Sequence, residues 1–252
     1  MAKAMVKVGD VYESKQFGSF EVVEYIDKLN ILVKFYNTGF ITKSTSHSIR
    51  SGGVKDYFAP SVFDVGVRGD KYKITKGKGT LKLLEYDTWY DMLRRCYGDR
   101  YKNSSYEGCT ASDNFKYYTF FYEWCNKQVG FGNKGWHLDK DLLVKGNKIY
   151  SEDTCVFLPA EINSVLTKTD KLRGKYPIGV HWCNSKKVFV SQINRNKGQQ
   201  EWLGQFDNPN DAFNAYKDAK ENYLKELANK WKGKIDERAY NALMNYKVEI
   251  TD

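Results

Sequence analysis

The sequence predicts an α+β fold with a small β-barrel first, a central strand–turn–strand–helix unit, and a C-terminal three-stranded sheet backed by a long helix. Three observations carry that expectation. Residues 5–58 hold short alternating apolar runs separated by Gly, Asn and Ser turns. The stretch WHLDKDLLVKGNKIYSEDTCVFLPAEIN, residues 136–163, reads as a strand, a Gly-Asn turn, a second short strand and the start of a helix. Residues 178–206 read as three strands, and a continuous helical apolar face follows them.

Length and composition set the outer limits. A chain of 252 residues, 41% of them hydrophobic, is enough for one large domain or two to three small ones. The formal charge of +9 favours a polyanionic partner, with nucleic acid as the first expectation. Five cysteines, an odd number with no CxxC pair, argue against a disulfide framework and for a reducing, cytosolic setting. A zinc site built from Cys96, Cys109, Cys125 and Cys155 is the lesser metal alternative. No apolar run approaches the roughly 20 residues of a membrane span. The opening MAKAMVKVGD has no apolar core of the signal-peptide kind, so a cytoplasmic protein is expected.

In residues 1–63, Val6, Val8 and Val11 begin the β pattern, and 20–26 and 31–36 continue it. Asp27-Lys28-Leu29-Asn30 is a hairpin loop, and Gly39 and Gly52-Gly53 mark further turns. Several short strands in so few residues suggest a small SH3-like barrel, which serves a structural or protein-binding module equally well. Residues 64–84, DVGVRGDKYKITKGKGTLKLL, are Gly- and Lys-rich without a sustained period. They read as a basic linker or extended arm, either a solvated tether or a segment lying along phosphates.

Residues 85–170 are expected to form the central domain. Thr88 with Asp91 resembles a capping box, placing Trp89, Met92, Leu93 and Cys96 on one helical face and Arg94 and Arg95 elsewhere. Ser112 caps a second helix with Phe115, Tyr118, Tyr122 and Cys125 in register and Phe121 and Trp124 widening the face, a core pattern rather than a stacking platform. The strand at 136–143 follows. Gly146-Asn147-Lys148 supplies the turn, 155–158 the short apolar strand, and Pro159 the first turn of a helix through Ile162 and Asn163.

Residues 171–252 form the last expected domain. From 171 to 200 there are seven Lys or Arg (171, 173, 175, 186, 187, 195 and 197) and no Asp or Glu. Strands at 178–182, 188–193 and 201–206 are separated by turns at Asn184-Ser185 and Asn196-Lys197-Gly198. Asn208 caps a helix with Pro209 at its first position, and Ala212, Phe213, Tyr216, Tyr223 and Leu227 form its apolar face. A short helix near 237–246 closes the chain. On the middle strand, Phe189 and Ile193 should face the helix, leaving Val190 and Gln192 outward.

Two resemblances add to these readings. Gly179-Val180, 189–193 (FVSQI), 202–206 (WLGQF) and 209–216 with Asp211-Ala212-Phe213 resemble the AP2-type DNA-binding domain. In that family the sheet lies in the major groove. The resemblance implies His181, Trp182, Gln192, Asn194 and Trp202 at or near DNA, with Lys186, Lys187 and Arg195 on phosphates. This chain carries fewer arginines on its strands, and Asn and Gln pair with adenine. The stretch 136–163 resembles the HNH endonuclease motif, whose ββα unit holds one divalent cation, as in bacteriophage homing-type enzymes with a C-terminal AP2 domain. That similarity implies Mg²⁺ or Mn²⁺ held by Asp139 and Asn163, polarising a scissile phosphate. Lys140 falls where the motif's general-base His stands, with Asp141 or His137 as compensating groups, and Thr154 or Cys155 replaces a usual Asn.

Three readings of the function follow. One is metal-dependent cleavage of duplex DNA in a phage-infected bacterial cytoplasm. Another is a catalytically inactive HNH scaffold that binds DNA, or inhibits a host defence complex through contact with a host protein or nucleoprotein. A protein-interaction module without nucleic acid is the third reading.

Overall fold

The structure is a computed structural model that describes residues 5–77, 79–102, 104–166, 175–195 and 198–250. Lys171, Arg173 and the Asn196-Lys197 turn lie outside the described residues. The α+β class is as expected. The chain divides into two compact units, Met1–Trp124 and Cys125–Asp252, so the division falls inside the stretch 85–170.

In the first unit, β1 (Val11–Ser14), β2 (Gly18–Asp27), β3 (Asn30–Phe35) and β4 (Ile41–Ser44) form an antiparallel meander in that order. Alternation puts Phe20, Val22, Ile31, Val33 and Phe35 on one face, all fully buried with Val6, Ile49 and Val54. Phe20 pairs with Phe35 and Val22 with Val33 across the β2–β3 register. Asp27 fixes the hairpin, its Oδ1 accepting from the Leu29 amide at 2.7 Å. The sheet does not close into the expected SH3-like barrel. After β4 the chain enters α1 (Ser46–Arg50), whose first turn is capped by Thr45 Oγ1 accepting from the Ser48 amide. β1 and β4 are left as the outer strands.

The expected linker is not a tether. Val62, Gly66 and Val67 are buried, and a Cβ added at Gly66 would stand 2.6 Å from Leu93 Cδ1 and 3.0 Å from the Trp89 ring. The helix beneath it, α2 (Leu84–Tyr97), buries Tyr86, Trp89, Met92 and Leu93. It starts before the expected cap: Thr88 lies inside it, its hydroxyl donating back to the Leu84 carbonyl at 2.8 Å. Arg94 pairs with Asp91 at 2.8 Å.

A 3₁₀ turn (Asp99–Tyr101) and the two-residue strand β5 (Thr110–Ala111) lead into α3 (Asp113–Lys116) and α4 (Tyr118–Cys125). Ser112 caps α3 as expected, accepting from the Phe115 amide at 3.2 Å. The single helix expected here breaks at Tyr117 because Val67 takes the backbone groups on either side. Its amide donates to the Lys116 carbonyl and its carbonyl accepts from the Tyr118 amide, each at 2.9 Å.

In the second unit, β6 (Trp136–Asp139), β7 (Ile149–Tyr150), β8 (Val156–Pro159) and α5 (Ala160–Leu166) make up the central unit. β6 and β8 pair antiparallel from Trp136↔Pro159 to Asp139↔Val156. The strand expected to reach Leu143 stops at Asp139, whose Oδ1 accepts from the amides of Asp141 and Leu142 at 3.0 and 2.8 Å and turns the chain. Pro159 ends the second strand instead of opening the helix.

β9 (Val180–Cys183), β10 (Val188–Asn194) and β11 (Gln200–Phe206) form an antiparallel sheet in the order β11-β10-β9. α6 (Pro209–Trp231) covers one face, its Asn208 cap accepting from the Asp211 amide at 2.9 Å with Pro209 in the first turn. α7 (Glu237–Met244) follows, capped by Asp236.

The ββα unit and the sheet–helix unit share one core. Leu142, Val156, Leu158 and Ile162 of the former are buried together with Ile193, Phe213, Tyr216, Leu224 and Leu227 of the latter. Glu161 of α5 accepts from Lys230 Nζ at 2.5 Å and from Trp231 Nε1 at 2.9 Å, tying α5 to the end of α6.

Candidate nucleic-acid interface

The three-stranded sheet sorts its residues by register. β10 alternates without interruption. Phe189, Ser191 and Ile193 lie on one face, where Ile193 joins the core with α6. Val188, Val190, Gln192 and Asn194 lie on the other. On β9, His181 pairs with Val190 and therefore shares the outer face, while Val180 pairs with Ser191 and packs on the core. On β11 the register shifts between Ser191 and Gln192: Ser191 faces Gly204, but Gln192 faces Trp202, leaving Leu203 as the extra residue of a bulge. Gly204 takes φ 145 there, a conformation other residues rarely adopt.

The outer face thus brings together His181, Gln192, Asn194 and Trp202, four of the residues expected at DNA. His181 and Asn194 are exposed, and Trp202 is 63% exposed. The bulge adds one residue that sequence periodicity misses, Gln205, and Gln200 shares the face by plain alternation from Trp202. Gln205 pairs with Val190, and Gln200 pairs with Asn194. Trp202 and Gln205 are an odd number of positions apart, so simple alternation puts them on opposite faces; Gly204 was the one available signal. Among the described residues, the face carries amides, an imidazole and an indole, and neither carboxylate nor guanidinium. Val190, expected outward and free, is on this face but only 7% exposed, between His181 and Gln205.

Two expected contacts are corrected. Trp182 pairs with Phe189 on the helix side of the sheet, their rings 4.8 Å apart and T-shaped, so it is not on the outer face. Arg195 is committed within the protein: it is ion-paired with Glu201 and, at 2.9 Å, with Glu226, and its guanidinium lies 4.8 Å from the Tyr223 ring centre. Two carboxylates balance its charge, so it is not an available phosphate ligand. Lys186 and Lys187 are both exposed in the turn at 184–187 that joins β9 to β10. Lys187 takes φ 53, and its amide donates to the Cys183 carbonyl at 2.8 Å.

Asp139, Lys140 and Asp141 sit where β6 ends. Lys140 is 4% exposed, and its ammonium donates to Asp141 Oδ1 at 2.6 Å and to the Asn147 carbonyl at 3.0 Å, with the Tyr150 ring 5.6 Å away. Asn147 closes the loop from the other side, donating to the carbonyls of Lys140 and Ile149 at 2.8 and 2.7 Å and accepting from the Ile149 amide. Thr154 reinforces it through its hydroxyl, which donates to the Ile149 carbonyl. Its ammonium hydrogens are spent on a carboxylate and a carbonyl of the same loop, so Lys140 bolts the loop. Asn147, expected only as a turn residue, is the main lock of this loop.

Burial pushes the Asp139 carboxyl above the ordinary aspartate value, against the pull of the Leu142 amide. His137 is exposed and Asn163 half-buried. Among the described residues no three His, Cys, Asp or Glu side chains come together as a metal-holding group. Asp139 and Asn163 alone therefore do not complete the six oxygen ligands typical of Mg²⁺ or Mn²⁺, and bound water or phosphate oxygens would have to supply the rest. No disulfide joins the five cysteines, and burial pushes the Cys155 thiol up to about 12.

No helix among the described residues is long and apolar enough to cross a membrane. Compared with known proteins, the chain matches no family model, no curated protein and no solved structure.

Proposed function

We propose that the chain binds duplex DNA through the outer face of the β9–β11 sheet. The observation that carries this reading is the register, which gathers His181, Gln192, Asn194 and Trp202 on a face free of carboxylates, with Lys186 and Lys187 exposed at one end. Amide side chains form paired hydrogen bonds with adenine edges, the indole offers apolar surface, and the lysines meet phosphates as point charges. The net charge of +9 supports the same partner. The AP2 resemblance implies the same role for these four residues, whereas Trp182 lies on the helix side and Arg195 is ion-paired. A titration of labelled duplex DNA followed by fluorescence anisotropy tests the reading. Trp202→Ala and Gln192→Ala should each weaken binding about tenfold, the scale of one lost base contact. Equal affinity for wild type and both variants would remove this surface from consideration.

A second reading is metal-dependent cleavage, favoured by the β6–β8 hairpin running directly into α5 in HNH order. Asp139 and Asn163 would hold Mg²⁺ or Mn²⁺, and the cation would stabilise charge on the scissile phosphate. Because Lys140 is occupied, a water-activating role falls to His137, the exposed residue two positions before Asp139. Nicking of supercoiled DNA with either cation, abolished by Asp139→Ala, is its test. Without cleavage by wild type the ββα unit is a scaffold for the DNA-binding sheet.

A further inference from the structure

The first unit holds a cluster of cations and tyrosines that the sheet reading does not use. Arg68 lies over the Tyr57 ring at 5.4 Å. Lys82 lies over the rings of Tyr86 and Tyr90 at 5.4 and 4.7 Å. Burial pushes the Tyr86 hydroxyl up, and the Arg68 charge pulls it back, so the guanidinium and the hydroxyl act on one another. The backbone agrees: Val67, next to Arg68, accepts from the Tyr118 amide, and the Tyr118 ring meets that of Tyr86 at 5.3 Å, so Arg68 and Lys82 both lie near Tyr86 at the start of α2.

Neither cation is ion-paired among the described residues, in contrast to Lys71, Arg94 and Lys116 in the same unit, each of which has a carboxylate partner. Arg68 Nε is buried with no hydrogen-bond partner, an uncompensated cost. Tyr86 is 7% exposed. The Asp87 carboxylate acts on Tyr86 but pairs with neither cation.

A strained turn borders the cluster. Phe63 and Asp64 take φ 53 and 59 between the bridged residues Val62 and Gly66, and the Phe63 ring rests 5.1 Å from Tyr90. A left-handed conformation is costly for a bulky aromatic residue, and such strain collects where a side-chain position matters.

We propose that Arg68 and Lys82, framed by Tyr57, Tyr86 and Tyr90, bind a phosphate group of a nucleotide or of a nucleic-acid strand. Two unneutralised cations attract the anion, the guanidinium donates in a fixed fork, and the tyrosine hydroxyls can donate alongside. Tyrosine rings beside a cation-bound phosphate also form the usual surface for a base. The site lies outside the C-terminal sheet and does not rest on the duplex reading.

The test is equilibrium binding by the full chain of three probes: a fluorescent single-stranded oligothymidylate, adenosine monophosphate and inorganic phosphate. The proposal expects wild type to bind at least one probe. It expects Arg68→Ala with Lys82→Ala to weaken that binding at least about tenfold, the equivalent of one lost charge-assisted hydrogen bond. Lys116→Ala, which removes a first-unit cation already paired with Asp113, should leave it unchanged. Binding of the oligonucleotide alone identifies a strand backbone as the source, and binding of the monophosphate or free phosphate identifies a small ligand. Lys82 is exposed, so Lys82→Ala alone, expected to give a severalfold loss, keeps the test intact if the double variant unfolds. Failure of wild type to bind any probe, or equal binding by the variants, overturns the proposal.

Discussion

The indole of Trp231, at the last position of α6, meets that of Trp136, the first residue of β6, edge to face with ring centres 5.7 Å apart and planes at 87°. This pair joins the hairpin to the helix that backs the three-stranded sheet, so the two are one folding unit and not two domains on a tether. Gly130 lies under the same ring at φ 88, where an added Cβ would overlap the Trp136 indole at 2.1 Å.

Trp231→Ala should therefore destabilise the second unit by about 2–3 kcal/mol, the lower end of what a large aromatic truncation costs, because Trp231 is only half-buried. It also removes the indole donor to Glu161. Urea denaturation should show the midpoint falling for the hairpin and the sheet together. If the hairpin unfolds separately while the sheet stays at its wild-type midpoint, the shared core is not a cooperative unit.

Lys140 is expected to matter for stability and not for chemistry. Lys140→Met keeps the aliphatic stem but leaves the Asn147 carbonyl without its ammonium donor and Asp141 without its counter-ion, at a cost of about 1–3 kcal/mol. Thermal melting should register that loss, with duplex affinity unchanged. Lys140→Met losing nothing in melting would mean that the ammonium is not the bolt described.

Asp139 makes a pH-dependent prediction. Burial raises its folded-state pKa above the unfolded value, so its contribution favours folding at low pH and is lost as pH rises through the raised value. Asp139→Asn keeps an oxygen that can accept from the Asp141 and Leu142 amides and removes the titration. Relative to wild type, Asp139→Asn should gain stability as pH rises from about 4 towards neutrality, the range above the unfolded aspartate value. Asp139→Ala should be less stable throughout, by about 1–2 kcal/mol for the two lost amide bonds. Melting temperatures of the three proteins between acid and neutral pH decide it, and parallel curves for wild type and Asp139→Asn would count against the burial argument.

Much of the second unit was legible because its signals are local. Asn208-Pro209 announces the start of α6, the apolar spacing fixes its buried face, and alternation puts Phe189 and Ile193 inward. What local pattern misses is long-range pairing. Residues 64–84 look like an arm because they have no period of their own; their order comes from the backbone bonds of Val67 with Lys116 and Tyr118 and from the fit of Gly66 against Trp89 and Leu93. The barrel failed for a similar reason, since closure depends on where the chain goes after β4 and not on the strands themselves. At the candidate interface, Gln192 and Asn194 were readable from β10. Gln205 was hidden by the bulge at Gly204, and the diversion of Arg195 to Glu226 depends on a partner from a distant turn of α6.

The central claim concerns the outer sheet face and its two turn lysines, and the salt dependence of duplex binding tests it most directly. Each lysine that neutralises a phosphate contributes about −0.9 to the slope of log affinity against log salt. Lys186→Ala with Lys187→Ala should flatten the wild-type slope by about 2, and Arg195→Ala, already paired with Glu201 and Glu226, should not flatten it. A wild-type affinity indifferent to salt, or the same slope after both lysines are removed, would contradict duplex binding by this face.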